Sequence, residues 1–225
     1  MCGRYTITTK YAELIQRWSF PSDRPDLQKL IPSYNIAPSQ RVIAAWSGTE
    51  SKALTGMRWG FLPPWAKDAS VGYKMINARA ETIAEKPTFR NAFKEHRCLI
   101  IADGFYEWRR AGKEKQPVRI VLKSRELFAF AGLWSAWTEP ESEKEIVTCA
   151  IVTCAANSLL KQVHDRMPVI LSRDEEDAWL DKTLKEPSEL LSMLRSYPDD
   201  EMDFYAVSNR VNTATVNELS LVDPV

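Results

Sequence analysis

The chain has 225 residues, with 30 Lys and Arg balancing 30 Asp and Glu for a formal net charge of zero, and 44% apolar residues. That length suits one domain, residues 1–225, with a sizeable core, and the neutral balance excludes a protein that coats duplex DNA through bulk positive charge. No apolar run of about 18 residues reads as a membrane span and no charged-then-apolar leader opens the chain, so a cytoplasmic protein is expected.

In chain order, residues 10–19 have helical spacing, with Leu14, Ile15 and Trp18 on one face, and stop before Phe20 and Pro21. Residues 33–39 read as an irregular loop. Strand-type runs follow at 41–46, 53–59, 98–108, 118–122, 127–134 and 146–153. Ala111-Gly112-Lys113 and Lys123-Ser124-Arg125 are polar connections of the kind that join antiparallel neighbours. Ser172 with Glu175 has capping-box form ahead of Ala178, Trp179 and Leu180, and Pro187 opens a last helix through Leu190, Leu191 and Leu194. Hairpins in the middle and helices at the margins describe an α+β domain with an antiparallel, barrel-like sheet core and peripheral helices.

Of the four cysteines, Cys98 and Cys149 sit in apolar strand-like runs and read as reduced core residues. With only His96 and His164 available, in no zinc spacing, no metal is expected. Cys2 is different. Once Met1 is removed, it carries a free α-amine beside its thiol. The amine, with a reference pKa of about 7.7 to 8, forms a Schiff base with an aldehyde at neutral pH. The thiol then closes a five-membered thiazolidine ring, an intramolecular step whose effective molarity reaches about 10⁵ to 10⁸ M.

Three further segments mix ionisable residues with apolar neighbours: 77–82 with Asn77 and Arg79, 102–108 with Glu107 between Tyr106 and Trp108, and 164–169 with His164 and Arg166. A carboxyl set in an apolar wall suits proton shuttling near neutral pH. The bland alternatives are a surface glutamate between aromatics, a structural histidine and a turn asparagine.

In order along the chain stand M-C-G-R at 1–4, Y-N-I-A-P at 34–38, W-G-F-L-P-P-W at 59–65, N-A-R-A-E-T at 77–82, A-D-G-F-Y-E-W at 102–108, H-D-R-M-P at 164–168 and V-S-N-R-V-N at 207–212. Together they resemble the SRAP family, the SOS response-associated peptidase proteins, almost end to end. The resemblance implies the SRAP fold and a sensor of abasic sites in single-stranded DNA, acting in the SOS damage response. Cys2 would bond the ring-opened aldehyde as a thiazolidine and so shield the strand from cleavage. Asn77 would hold the α-amine, Glu107 relay protons to and from it, and His164 protonate the sugar ring oxygen and assist reversal. Arg79 and Arg166 match phosphate-holding positions; Arg4 and Asn35 would lie in the same cleft. Trp65 falls at an aromatic wall for flanking nucleotides, although relatives with Trp-Trp here differ from Pro64-Trp65. The resemblance implies no cofactor, a monomer, and a cytoplasmic protein associated with the nucleoid when bound. A lyase side activity and self-removal of Met1 go with it. Two alternatives stand beside this reading: a cysteine autopeptidase using Cys2, His164 and Asn77, and a non-catalytic reader of single-stranded or modified DNA.

Overall fold

Two sheets divide the chain between them. The computed structural model describes residues 2–20, 24–47, 52–112 and 114–225. Its strands are β1 (Arg4–Ile7), β2 (Ser33–Ile36), β3 (Arg41–Ser47), β4 (Lys52–Trp59), β5 (Asn77–Arg79), β6 (Arg97–Ala102), β7 (Gly104–Ala111), β8 (Glu114–Leu122), β9 (Phe128–Thr138), β10 (Glu145–Ala155), β11 (Arg166–Pro168), β12 (Ile170–Leu171) and β13 (Met202–Ala206). The helices are α1 (Tyr11–Trp18), α2 (Pro25–Gln28), α3 (Arg90–Glu95), α4 (Arg173–Leu180) and α5 (Pro187–Ser192), with short 3-10 turns between elements.

A five-stranded barrel forms the core. β4, β3, β6 and β9 pair antiparallel in that order. β10 then closes the ring, antiparallel to β9 from Glu145 opposite Thr138 to Ile151 opposite Gly132, and parallel to β4 at Thr148 and Cys149. Its composition suits that place: β10 is rich in Val, Ile and Thr, and is buried without a break from Thr148 to Cys154, as a strand covered on both faces must be. The ring is tight. A Cβ on Gly132 would lie 2.8 Å from the Cys98 sulfur, so only glycine fits. Beyond the ring, β10 carries β5 in parallel and β11 antiparallel, and β12 hangs on β9.

The second sheet, in the order β13, β8, β7, β1, β2, is antiparallel throughout. Edge-to-face rings lock it onto the barrel: Tyr5 meets Trp59 at 5.4 Å and Phe130 at 5.8 Å, and Phe105 meets Phe130 at 6.0 Å. The chain crosses from barrel to second sheet at Asp103, which is 7% exposed. Its carboxylate accepts from Thr6 Oγ1 at 2.5 Å, Thr8 Oγ1 at 2.7 Å and Arg119 Nη2 at 3.1 Å, and from the Thr8 amide. One buried ion pair thus pins the turn to β1 and β8.

The helices lie outside. Ser172 N–H donates to Glu175 Oε2 at 3.1 Å at the head of α4, and Trp179 sits fully buried against β6. Buried Arg97 donates to five carbonyls, those of Phe93, Lys94, Trp179, Asp181 and Leu184, at 2.5 to 3.0 Å. It ties the ends of α3 and α4 to the barrel.

The architecture expected from sequence is present, with four departures. Residues 33–36 form β2 against β1, where a loop was expected; flanking Pro32 and Pro38 masked a short strand. The run 98–108 is two strands, because Asp103 is where the chain changes sheets. Lys123-Ser124-Arg125 connects β8 to β9, which belong to different sheets and do not pair. The core is not wholly antiparallel, since β10 runs parallel to both β4 and β5. At the other expected turn β7 and β8 do pair, Ala111 opposite Glu114, with Gly112 at φ 64°; Lys113 lies outside the described residues.

Candidate active site and nucleic-acid cleft

Register places the amino-terminal residues. In the β1 and β7 ladder Arg4 lies opposite Tyr106 and Tyr5 opposite Phe105, so the same register carried outward sets Cys2 and Gly3 beside Trp108 and Glu107. From the barrel side β5 brings Asn77, opposite Ile151 of β10. Asn77 Nδ2 donates to the Cys2 carbonyl at 2.9 Å, a bond spanning the two sheets. The other half of that amide, Oδ1, is buried and has no hydrogen-bond partner among the described residues. Such an orphan acceptor is costly, and it stands beside the backbone of the residue whose amine was expected there. Met1 lies outside the described residues.

Cys2 is fully buried. Burial, and next the nearby Glu107 carboxylate, push its thiol far above the ordinary cysteine range. The sulfur is therefore held as a neutral thiol. Glu107, 5% exposed on β7, and His164, before β11, both line a cleft of about 660 Å³ together with Trp108, Arg110, Lys115, Lys161, Gln162, Val163 and Asp165. His164 Nδ1 lies 3.0 Å from the Arg166 amide nitrogen, whose N–H it accepts when that ring nitrogen is unprotonated. Asp165 Oδ1 lies 2.7 Å from the same Nδ1, a partner for the protonated ring.

Cys2, Asn77, Glu107 and His164, far apart in sequence, thus meet at one end of the molecule. Arg79 is exposed and, by strand alternation, shares a face of β5 with Asn77. Four other expected site residues have internal partners or stand apart from this cleft. Arg166 makes a bidentate pair with Glu81 at 2.5 and 3.0 Å and donates to Thr153 O at 2.6 Å; its guanidinium holds the Glu81 carboxyl below the usual range. Arg4 donates to Asn35 Oδ1 at 2.8 Å, Val211 O at 2.6 Å and Asn212 O at 3.3 Å. Asn35, 1% exposed, gives its amide protons to the carbonyls of Val211, Thr213 and Val216. Arg4 and Asn35 are therefore a clasp on the carboxy-terminal segment, and Asn35 faces away from solvent. Trp65 is 64% exposed and borders a separate recess of about 200 Å³ with Phe61, Pro64, Pro87 and His96, sharing no lining residue with the Glu107 cleft.

Sequence reading passed over Arg110, Lys115 and Lys161, which lie outside the motif words. Asn212, the last residue of V-S-N-R-V-N, was given no role there; its Oδ1 accepts the Trp108 indole N–H at 2.7 Å and fixes that ring at the cleft lip.

The model of the family described as SOS response associated peptidase (SRAP) matches residues 1–214. The chain belongs to the SRAP family. Among SRAP relatives, the abasic site processing protein YoqW of Bacillus subtilis is 45% identical over 224 residues, covering 99% of both chains. YoaM of the same organism, likewise called an abasic site processing protein, is 46% identical over 99% of this chain and 98% of its own length. The abasic site processing protein HMCES of Xenopus tropicalis is 29% identical over 85% of this chain and 66% of its own. The SRAP fold described here also superposes on the crystal structure of a Bacteroides thetaiotaomicron protein with a TM-score of 0.91, at 27% identity and full coverage of both chains.

Proposed function

We propose that this SRAP protein processes abasic sites in single-stranded DNA by covalent capture on Cys2. The observation that carries the reading is the Asn77 amide, bonded on one side to the Cys2 carbonyl and open as an acceptor on the other. A Cys2 amine, freed of Met1, supplies the missing donor and is held in place by it. The steps then balance. His164, in its charged form, gives a proton to the ring oxygen of the deoxyribose; the C1–O bond of the ring breaks, the C1 hydroxyl gives up its proton to Glu107, and the aldehyde opens. The Cys2 amine adds to the carbonyl carbon, and loss of water leaves an imine. The thiol adds across the C=N bond: sulfur bonds to carbon, and its proton passes to nitrogen. Glu107, beside the thiol, carries the protons in both transfers.

Burial of Cys2 supports selectivity, because a sugar stripped of its base reaches a recessed amine more readily than an intact nucleotide. It also favours this reading over a peptidase. A cysteine peptidase needs a thiolate, and here burial and Glu107 both hold the sulfur protonated. Capture needs only the amine to attack first. An imine that escapes ring closure can instead eliminate the 3′ phosphate, which accounts for a lyase side reaction.

Wild-type protein mixed with an abasic oligonucleotide is expected to give a band that survives a denaturing gel and an intact mass equal to protein plus DNA less one water. Absence of that product overturns the reading. Glu107→Gln is expected to slow adduct formation by roughly 100-fold or more while binding of an undamaged strand is unchanged. Wild-type kinetics in that variant would remove Glu107 from the mechanism.

A further inference from the structure

The cleft beside Glu107 and His164 carries a concentration of positive charge that no part of the capture chemistry uses. Arg110 and Lys115 come from β7 and β8, and Lys161 from the 3-10 turn Leu160–Gln162 that precedes His164. Among the described residues none of the three makes an ion pair, whereas Arg4 and Arg166 are committed to internal partners. The three cations outnumber the two carboxylates that line the cleft, Glu107 and Asp165.

The ladder adds a second, independent sign. Arg110 and Lys115 are paired directly across β7 and β8. Like charges in facing positions repel, and a hairpin selected for stability alone would place a carboxylate or a neutral residue at one of them. An anion lying between the two chains of charge removes the conflict.

We infer that Arg110, Lys115 and Lys161 form a phosphate-binding tract that holds the sugar-phosphate backbone of a single strand at the mouth of the cleft. The inference rests on the abasic-site reading for its ligand, and it adds residues outside the family motifs to the phosphate contacts expected of the motif arginines. Phosphate contacts of this kind set position and register without reading sequence.

The test is fluorescence polarisation with an undamaged, labelled oligothymidylate over a range of salt concentrations. The triple variant Arg110→Gln/Lys115→Gln/Lys161→Gln is expected to flatten the slope of log affinity against log salt by about two, which corresponds to roughly 100-fold weaker binding near 0.1 M salt. A control that removes equal charge elsewhere, Lys29→Gln/Lys123→Gln/Lys144→Gln, is expected to bind within about threefold of wild type. Relief of the facing charges is expected to leave the melting temperature of the triple variant unchanged or raised. Wild-type affinity and slope in the triple variant, an equal loss in the control, or a lowered melting temperature that accounts for the loss would each overturn the tract. Capture is scored separately with an abasic strand at saturating protein and low salt. Wild-type protein that binds the undamaged strand through the tract and yet forms no adduct sinks the capture reading alone.

Discussion

Cys2→Ser is expected to abolish the denaturant-resistant adduct while leaving affinity for an undamaged strand within about twofold of wild type, since no phosphate contact is touched. Serine keeps the α-amine and its place beside Asn77, so the imine still forms. The hydroxyl is a far poorer nucleophile than sulfur, and the ring does not close. Two observables follow from the stranded imine. Added cyanoborohydride should restore a stable band by reducing the C=N bond, and without it the abasic strand should be cut faster than with wild-type protein. A stable product from Cys2→Ser in the absence of reductant would show that sulfur is not the atom that closes the linkage. An added residue ahead of Cys2 should eliminate both the wild-type band and the reductant-trapped one, because a secondary amide cannot form the imine.

Asp103→Ala is expected to be the most damaging single change to stability, by about 3 to 5 kcal/mol in urea unfolding. The Asp103 carboxylate is the counter-charge of Arg119, whose side chain is 10% exposed, and it accepts the protons of Thr6 and Thr8. Its removal strands a buried guanidinium and the amide of Thr8 together. Because Thr6 belongs to the strand that leads to Cys2, the loss should also lower adduct yield well below the unfolding midpoint. A cost under about 1 kcal/mol would mean that water replaces the carboxylate and that the sheet crossing is held by packing alone.

Much of this was legible in the sequence, for physical reasons that differ from part to part. Helices α1, α4 and α5 announced themselves through spacing, the Ser172 cap and Pro187, whereas the short α2 and α3 did not, and most strands showed as runs of Val, Ile and aromatic residues. Cys2 stood out by its place at the terminus, and Asn77, Glu107 and His164 as polar residues among apolar neighbours inside words shared with the SRAP family; the fold brings the four together. The parallel closure of β10 on β4 was not legible: Trp59 and Cys149 carry no mark of each other, and periodicity reveals a strand without its partner. Nor does an arginine disclose its partner. Arg4 and Arg166 share charge and motif membership with Arg79, yet only Arg79 is left facing outward, because Glu81 and the carbonyls of Val211 and Asn212 lie within reach of the other two. Conversely, Arg110 and Lys115 look like ordinary surface charge until the register sets them face to face.

The clasp that Arg4 and Asn35 make on residues 211–216 has a bearing on the birth of the molecule. The reactive terminus leaves the ribosome first, but the strand that seats Asn77 is held by β10, and the clasp awaits segments made near the end of synthesis. On the proposed chemistry, a nascent chain therefore carries the aminothiol before β10 has seated Asn77 beside it. The proposed capture site is thus complete only after the later strands have been made.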